Sequence, residues 1–268
     1  MEKVNKNSTL KILFIGDIVG RPGRRTVREL LSILKEEEGL DFVIANGENL
    51  AAGKGMTYDK YQEMIDVGVD YFTSGNHIWN NPDIIEHLDD PKVKIIRPIN
   101  YPEGSPGRGF DELGDDLLII NAQGRVFMKD DVEDPFSTVL NQVTKSKDKI
   151  IIVDIHAEAT SEKVALGHYL DGKVSAVLGT HTHVQTADEK ILNKGTGYIT
   201  DVGMTGPIDS VLGVKKEIII EKFLTQMPQS HKVASGDTIF NAVVLTINKK
   251  TKKCTKIKRI SKIIKSQP

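Results

Sequence analysis

The sequence has a single cysteine, Cys254, among 268 residues. An intrachain disulfide is therefore excluded, and so is a cluster of thiolate metal ligands. Net charge is nearly absent, with 36 Lys and Arg against 37 Asp and Glu, so no general field draws the chain to nucleic acid or a membrane surface. Only Lys249 to Lys265 is locally basic, the pattern of a solvated face. No apolar run approaches the roughly 20 residues of a membrane helix. Ile12 to Ile15 is too short for a signal-peptide core, with Asp17 close behind it. These absences make the cytoplasm the expected location. What is present is 39% hydrophobic residues, enough for a substantial core and incompatible with a disordered or fibrous chain.

Short apolar runs alternate with helical periodicity through the first two thirds of the chain. Lys11 to Ile15, Asp41 to Ala45, Asp70 to Thr73 and Lys94 to Ile96 read as strands. Between the first three lie predicted helices at Arg24 to Glu38, closed by Gly39, and at Tyr58 to Val67. The Gly- and Pro-rich stretch from Pro98 to Gly109 reads as a long surface loop. Leu117 to Asn121, Ile150 to Ile155 and Ser175 to Leu178 are further strands, with a helix at Phe136 to Lys145. Strands that alternate with helices pair in parallel. After Thr186 the chain reads as strand-rich, and Ile218 to Glu221, Ile239 to Ile247 and Lys256 to Ile263 are expected to be antiparallel material.

The polar residues fall at telling places. Gly16-Asp17, Gly47-Glu48-Asn49, Gly75-Asn76-His77, Asp154-Ile155-His156 and His181-Thr182-His183 each lie at or just past the carboxyl end of a predicted strand. In parallel α/β sheets those ends converge on one rim, where ligands bind. Each piece alone has an ordinary reading: a turn for Asp17 or Asn76, a satisfied core histidine for His156. His-Thr-His is more specific, because residues two apart at a strand end project to the same side, so His181 and His183 address one site or two adjacent ones. Oxygen and imidazole donors without sulfur suit manganese, iron or zinc. They outnumber the needs of one ion, and two ions bridged by a carboxylate such as Glu48, roughly 3.5 to 4 Å apart, would use them.

Other clusters are weaker. Gly16, Gly20 and Gly23 miss the dinucleotide fingerprint, and Gly53-Lys54-Gly55 lacks the Ser or Thr of a P-loop. Asp130, Asp131, Glu133 and Asp134 do not follow an EF-hand pattern. His87, His168 and His231 are expected in surface or local structural roles. Arg21, Arg24 and Arg25 divide evenly between phosphate contact and an exposed basic helix start.

In their order, Gly16-Asp17, Gly47-Glu48-Asn49, Gly75-Asn76-His77, His156 and Gly179-Thr180-His181-Thr182-His183 resemble the calcineurin-like metallophosphoesterases. GDIVGRPGR, NGEN, SGNHIW, DIHAEATSEK and GTHTHVQTAD look like the YmdB-like branch, whose members are phosphodiesterases acting on cyclic nucleotides. The likeness runs through essentially the whole chain. Two departures from the broad superfamily pattern, Val19 in place of a histidine and Glu48-Asn49 in place of a bridging aspartate, are features of that branch. The resemblance implies an α/β fold, a metallophosphoesterase-like β-sandwich of two mixed sheets flanked by helices in four αββα layers. It is expected as one domain over 1–268, with an N-terminal extension at 1–9 and a tail at 264–268.

By the same resemblance, Asp17, Glu48, Asn49 and His183 would hold one metal and Glu48, Asn76, His156 and His181 the other, with His77 as proton donor. The implied cofactors are two divalent or mixed-valence ions, iron or manganese ahead of zinc. A hydroxide shared by the ions would attack a small-molecule phosphodiester, a cyclic nucleotide by family and a 2',3'-cyclic one by ring strain. The alternatives are a broad metallophosphatase acting on monoesters or nucleotides, and a regulatory nucleotide sensor with incidental turnover. No membrane partner is expected; an RNA end, an RNA-linked partner and a homo-oligomer stay open.

Overall fold

A computed structural model gives the fold over residues 8–266. β1 (Thr9–Ile15) and the two-residue β2 (Asp17–Ile18) precede α1 (Gly20–Glu38), and β3 (Phe42–Asn46), α2 (Tyr58–Val67), β4 (Tyr71–Thr73) and the short α3 (Pro82–Ile85) follow. The second run is β5 (Phe110–Leu113), β6 (Leu117–Gln123), α4 (Pro135–Lys145), β7 (Ile150–His156), α5 (Thr160–Leu170) and β8 (Ala176–Thr180). It closes with β9 (Lys190–Ile191), β10 (Gly197–Ile199), β11 (Met204–Pro207), α6 (Lys216–Thr225), β12 (Thr238–Asn248) and β13 (Cys254–Ile264).

Two mixed sheets result. One runs β2-β11-β12-β1-β3-β4 with β13 on β12, and the other runs β5-β6-β7-β8-β10-β9. The expected parallel pairing holds for β1 with β3 and β3 with β4, and for β6, β7 and β8; β10, a strand not singled out in the sequence, also joins β8 in parallel. β12 and β13 pair antiparallel, as expected of their short connection.

The apolar runs are continuous because each central strand buries both faces. In β1, Ile12 and Phe14 enter a core shared with Ile119, Ile152 and Leu178 of the other sheet. Leu13 and Ile15 face the opposite way, against Leu31 and Leu34 of α1 and Met64 of α2. In the second sheet Leu118, Ile120, Ile151 and Val153 pack on Val139 and Val143 of α4 and Leu166 of α5. Side chains alternating at period two thus build the four layers, helix, sheet, sheet, helix.

Two expected strands need correcting. Ile218 to Glu221 is not a strand; it lies within α6, which buries none of its residues. A short apolar run does not distinguish helix from strand by itself, and among the described residues no strand pairs with it. Lys94 to Ile96 contributes one isolated bridge, Phe72 to Ile95, in place of a strand. Helix α5 was not singled out, since its sequence has no clear apolar stripe. The expected N-terminal extension at 1–9 lies outside the described residues up to residue 7, and Thr9 already belongs to β1. In the expected tail at 264–268, Ile264 ends β13, and residues 267–268 lie outside the described residues. Among the described residues no helix is long and apolar enough to cross a membrane.

Glycine is obligatory where β8 meets the end of β10. A Cβ on Gly179 would sit 1.8 Å from the Thr200 carbonyl oxygen, a backbone atom that cannot move aside without parting the strands. Gly179→Ala should lower stability by about 2 kcal/mol or more, read as a lower urea midpoint. A midpoint equal to that of the parent would contradict this account of the packing.

Candidate metal centre

The carboxyl ends of parallel strands from both sheets meet on one rim. The first sheet delivers Asp17 after β1, Glu48 and Asn49 after β3, and Asn76 and His77 after β4. The second delivers His156 at the end of β7, and His181 and His183 after β8. All eight residues expected at the site as ligands or proton donor lie at this rim. Asp17, Glu48, Asn49 and His156 are buried there. Gly75 lets the β4 loop lie against the others, since a Cβ there would meet Glu48 Oε2 at 2.2 Å and His156 Nε2 at 2.4 Å.

The hydrogen bonds settle which imidazole nitrogen faces inward. His183 Nδ1 donates to the Leu212 carbonyl at 3.0 Å, leaving the Nε2 lone pair to accept from the Asn49 amide at 3.1 Å. The Thr180 hydroxyl gives its proton to Asp154 at 2.7 Å and so accepts from His156 Nδ1 at 2.9 Å. His181 Nε2 lies 3.1 Å from the Glu158 carboxylate. Each of the three rings thus has its outer nitrogen tied to an acceptor and its inner nitrogen turned on the cluster, the arrangement that orients histidines for a metal. Glu48, His156 and His181 bring their inner atoms within 4.8 Å of one another. Around them Asp17 Oδ1 and Asn76 Oδ1 are buried with no hydrogen-bond partner, and such oxygens are costly unless a ligand completes them.

Charge points the same way. Burial pushes the Asp17 carboxyl up. Burial would also raise Glu48, but the neighbouring His156, His77 and His181 rings hold it below the usual carboxylate range. Burial opposes charge on His156, yet Glu48, Asp17 and Asp154 outweigh it and lift the ring to about 9. Burial and the charged His156 together push His181 down to about 3. The proton on His156 Nε2 therefore sits between Glu48 Oε2 and His181 Nδ1, each 3.0 Å away. A cation is the natural replacement for it.

The turn that carries His181 and His183 differs from the alternation expected of a strand end. β8 stops at Thr180, and both histidines have left-handed backbone, φ 98° and 65°. Between them Thr182 donates from its amide and its hydroxyl to Asp201, which also holds the buried Lys163 ammonium at 2.6 Å. Lys163 in turn donates to the Thr180 carbonyl at 2.8 Å. The pair converges on the site because the turn is pinned there, at the strain cost that active sites tolerate.

His77 lies one step further out, on the wall of a cavity of about 360 Å³ that also contains Lys54, Asn76 and His181. Its Nδ1 donates to Asn49 Oδ1 at 3.0 Å and lies 3.4 Å from Glu48 Oε1. Burial pushes its pKa below the ordinary value, against the pull of Glu48.

Other sequence candidates separate cleanly. Arg24 is buried on Glu63 and the Leu50 carbonyl and holds α1 in place, while Arg21 and Arg25 line a different groove with Ser235. His87 stacks on Tyr58 and His168 is exposed on α5. His231 lines a groove beside Leu212. Asp134 caps α4, but Asp130 of the same acidic run reaches the cavity wall. Lys54, set aside as a P-loop residue, is also on that wall. Thr180 and Glu158 were missed, though both sit inside the motifs GTHTH and DIHAEATSEK, where only the ring-bearing residues draw notice.

Because a proton holds the place of a cation, binding should release it. The sign follows from the raised His156 value: below about 9 the ring keeps its proton and competes, so affinity for Mn²⁺ should rise with pH from about 6 to about 8. Calorimetric heats near neutral pH should vary with the ionisation enthalpy of the buffer. Heats and affinity independent of buffer and pH would contradict this charge balance.

The family model described as YmdB-like protein matches residues 13–260. A 2',3'-cyclic-nucleotide 2'-phosphodiesterase of Bacillus subtilis strain 168 is 49% identical over 256 residues, covering 94% of this chain and 96% of its own length. A crystal structure of a hypothetical protein from Thermus thermophilus is 42% identical with TM-score 0.88, over 95% of this chain and 99% of that one. The crystal structure of a novel phosphatase from Mycoplasma pneumoniae is 34% identical with TM-score 0.90, over 95% and 94% of the two chains. Fold, site and kinship agree: the chain belongs to the YmdB-like family and is a metallophosphoesterase.

Proposed function

We propose that the chain opens cyclic nucleotides, 2',3'-cyclic ones by preference, at a centre of two metal ions, iron or manganese ahead of zinc. The observation that carries this reading is the set of three imidazoles, each with its outer nitrogen tied and its inner nitrogen turned on two buried carboxylates. Kinship with the Bacillus subtilis phosphodiesterase supports the substrate class.

Asp17, Glu48, Asn49 and His183 are the residues for one ion, and Glu48, Asn76, His156 and His181 for the other. Glu48 is the shared member, because its two oxygens face different neighbours, Oε1 the Asn49 amide and Oε2 the His156 ring. When bound, the ions neutralise the charge of a phosphodiester and make a nucleophile of water at neutral pH. The uncompensated oxygens of Asp17 and Asn76 are the ones such ions would complete. Asn49 Oδ1 accepts from His77 Nδ1 and holds the ring against the cavity, so the ring gives a proton to the departing ribose oxygen from Nε2 only as the imidazolium, the form that the Glu48 carboxylate favours and burial opposes. A ribose hydroxyl is a poor leaving group, so this proton is required alongside the metals.

Two measurements test the reading. Chelation should abolish turnover and lower the thermal midpoint, and Mn or Fe should restore both; full activity in protein shown to be free of metal would refute it. His77→Ala should keep its ions and lose on the order of 10² to 10⁴ in kcat/KM on a 2',3'-cyclic nucleotide. On bis-nitrophenyl phosphate, whose leaving group needs little protonation, the loss should stay within about tenfold. Equal losses would remove the acid role from His77, and good turnover of monoesters with none of cyclic diesters would make the chain a phosphatase.

A further inference from the structure

Phe127 has no structural reason to be where it is. It is 85% exposed, so it gains almost nothing from burial. Its backbone is left-handed, φ 62°, a conformation disfavoured for a bulky side chain. Yet its loop, after β6, is held firmly. The buried Glu162 carboxylate of α5 accepts from the amides of Arg125 and Val126 at 2.9 and 3.3 Å. Gly124 donates to the carbonyl of His156 at 2.9 Å, and Gln123 donates to Asp130 at 3.0 Å. A side chain on Gly124 would strike Glu162 Oε2 at 2.4 Å. The loop is thus fastened to the strand end that carries His156, and it sets an aromatic side chain on the wall of the cavity that holds Asn76, His77 and His181.

The rest of that wall is mostly polar, with the cations Lys54 and Lys129, one carboxylate, Asp130, and one apolar neighbour, Met128. An exposed aromatic ring that shares a wall with two ammonium groups, next to donors for a phosphate, matches a nucleotide better than an apolar protein surface. The cavity, at about 360 Å³, is within the range of small-ligand sites. In a 2',3'-cyclic nucleotide the base leaves C1', one carbon from the C2' that bears the cyclic phosphate. Base and phosphate must therefore be held by neighbouring parts of one cavity.

We propose that Phe127 is the platform on which the nucleobase stacks, so that it selects nucleotides over other cyclic phosphodiesters. The assignment rests on the function proposed above and adds the feature of the substrate that is recognised. Every base has a π face, so the platform favours nucleotides as a class, with purines ahead of pyrimidines through their larger overlap.

The test compares Phe127→Ala and Phe127→Trp with the parent on adenosine 2',3'-cyclic phosphate and on the base-free 2',3'-cyclic phosphate of 1-O-methylribose. Phe127→Ala should raise KM for the nucleotide on the order of tenfold or more while changing kcat less. Its penalty on the base-free ester should be several-fold smaller. Phe127→Trp should recover the nucleotide KM, and its added indole emission, over that of the native Trp79, should be quenched by adenosine 3'-monophosphate. Equal penalties on both esters, or a Trp variant as impaired as the Ala variant, would overturn the platform. If the parent opens no cyclic nucleotide but the indole is still quenched, stacking stands and the reaction assignment falls. If the parent turns nucleotides over and neither the split nor the quenching is seen, the platform alone falls.

Discussion

The ion pair between Lys163 and Asp201 is the interaction on which the site depends. Both side chains are buried and 2.6 Å apart. Such a pair is weak evidence for stability as a whole, but removal of one member leaves an uncompensated charge in the core, at about 3 to 5 kcal/mol. Its value lies in what else it gathers. Asp201 also accepts from the Thr182 amide and hydroxyl and from the Gly203 amide, and Lys163 donates to the Thr180 carbonyl. With Thr182 held at both its amide and its hydroxyl, His181 and His183 have little freedom left and turn outward to the same rim. The pair is built from α5 and the segment after β10, so the second sheet must assemble before the two histidines are placed.

Negative charge buried on Asp17 and Glu48 is the second constraint. A carboxylate taken from water must be paired, and the neighbours supplied are neutral amides and imidazoles in place of Lys or Arg. A proton on His156 is a provisional answer. A divalent cation would be a fuller one, since the free oxygens of Asp17 and Asn76 are available to it. Behind these residues, Asn46 joins the Asp154 carboxylate to the Ser74 carbonyl, and Asp154 receives the Thr180 hydroxyl. This second row lies between the sheets and makes the positions of His156 and the β4 loop depend on each other.

Much of this was legible beforehand, for a physical reason. Strands buried on both faces show as continuous apolar runs, and the polar residues that interrupt them at the carboxyl ends mark the rim, so Asp17, Glu48, Asn49, Asn76, His77, His156, His181 and His183 could all be placed together. The failures have causes too. Ile218 to Glu221 has the composition of a strand, but a strand requires a partner, and none among the described residues pairs with α6. Lys94 to Ile96 lies next to β4 without completing a ladder. His181 and His183 were expected to converge through strand alternation, and they converge through left-handed backbone.

The chain's sequence by itself determined the alternation of strands and helices, the set of oxygen and imidazole donors, and the absence of sulfur from that set, because these follow from local pattern and chemical type. It did not determine which nitrogen of each ring faces the cluster, since Leu212, Thr180 and Glu158, which decide this, come from separate segments. Nor did it single out Phe127, which carries no motif of its own, or give Lys54 a place once the P-loop reading failed. Only the packing of α5 against the loop after β6, through Glu162, sets that aromatic beside the histidines. Local pattern reports what a residue is, and long-range contacts alone decide what it faces.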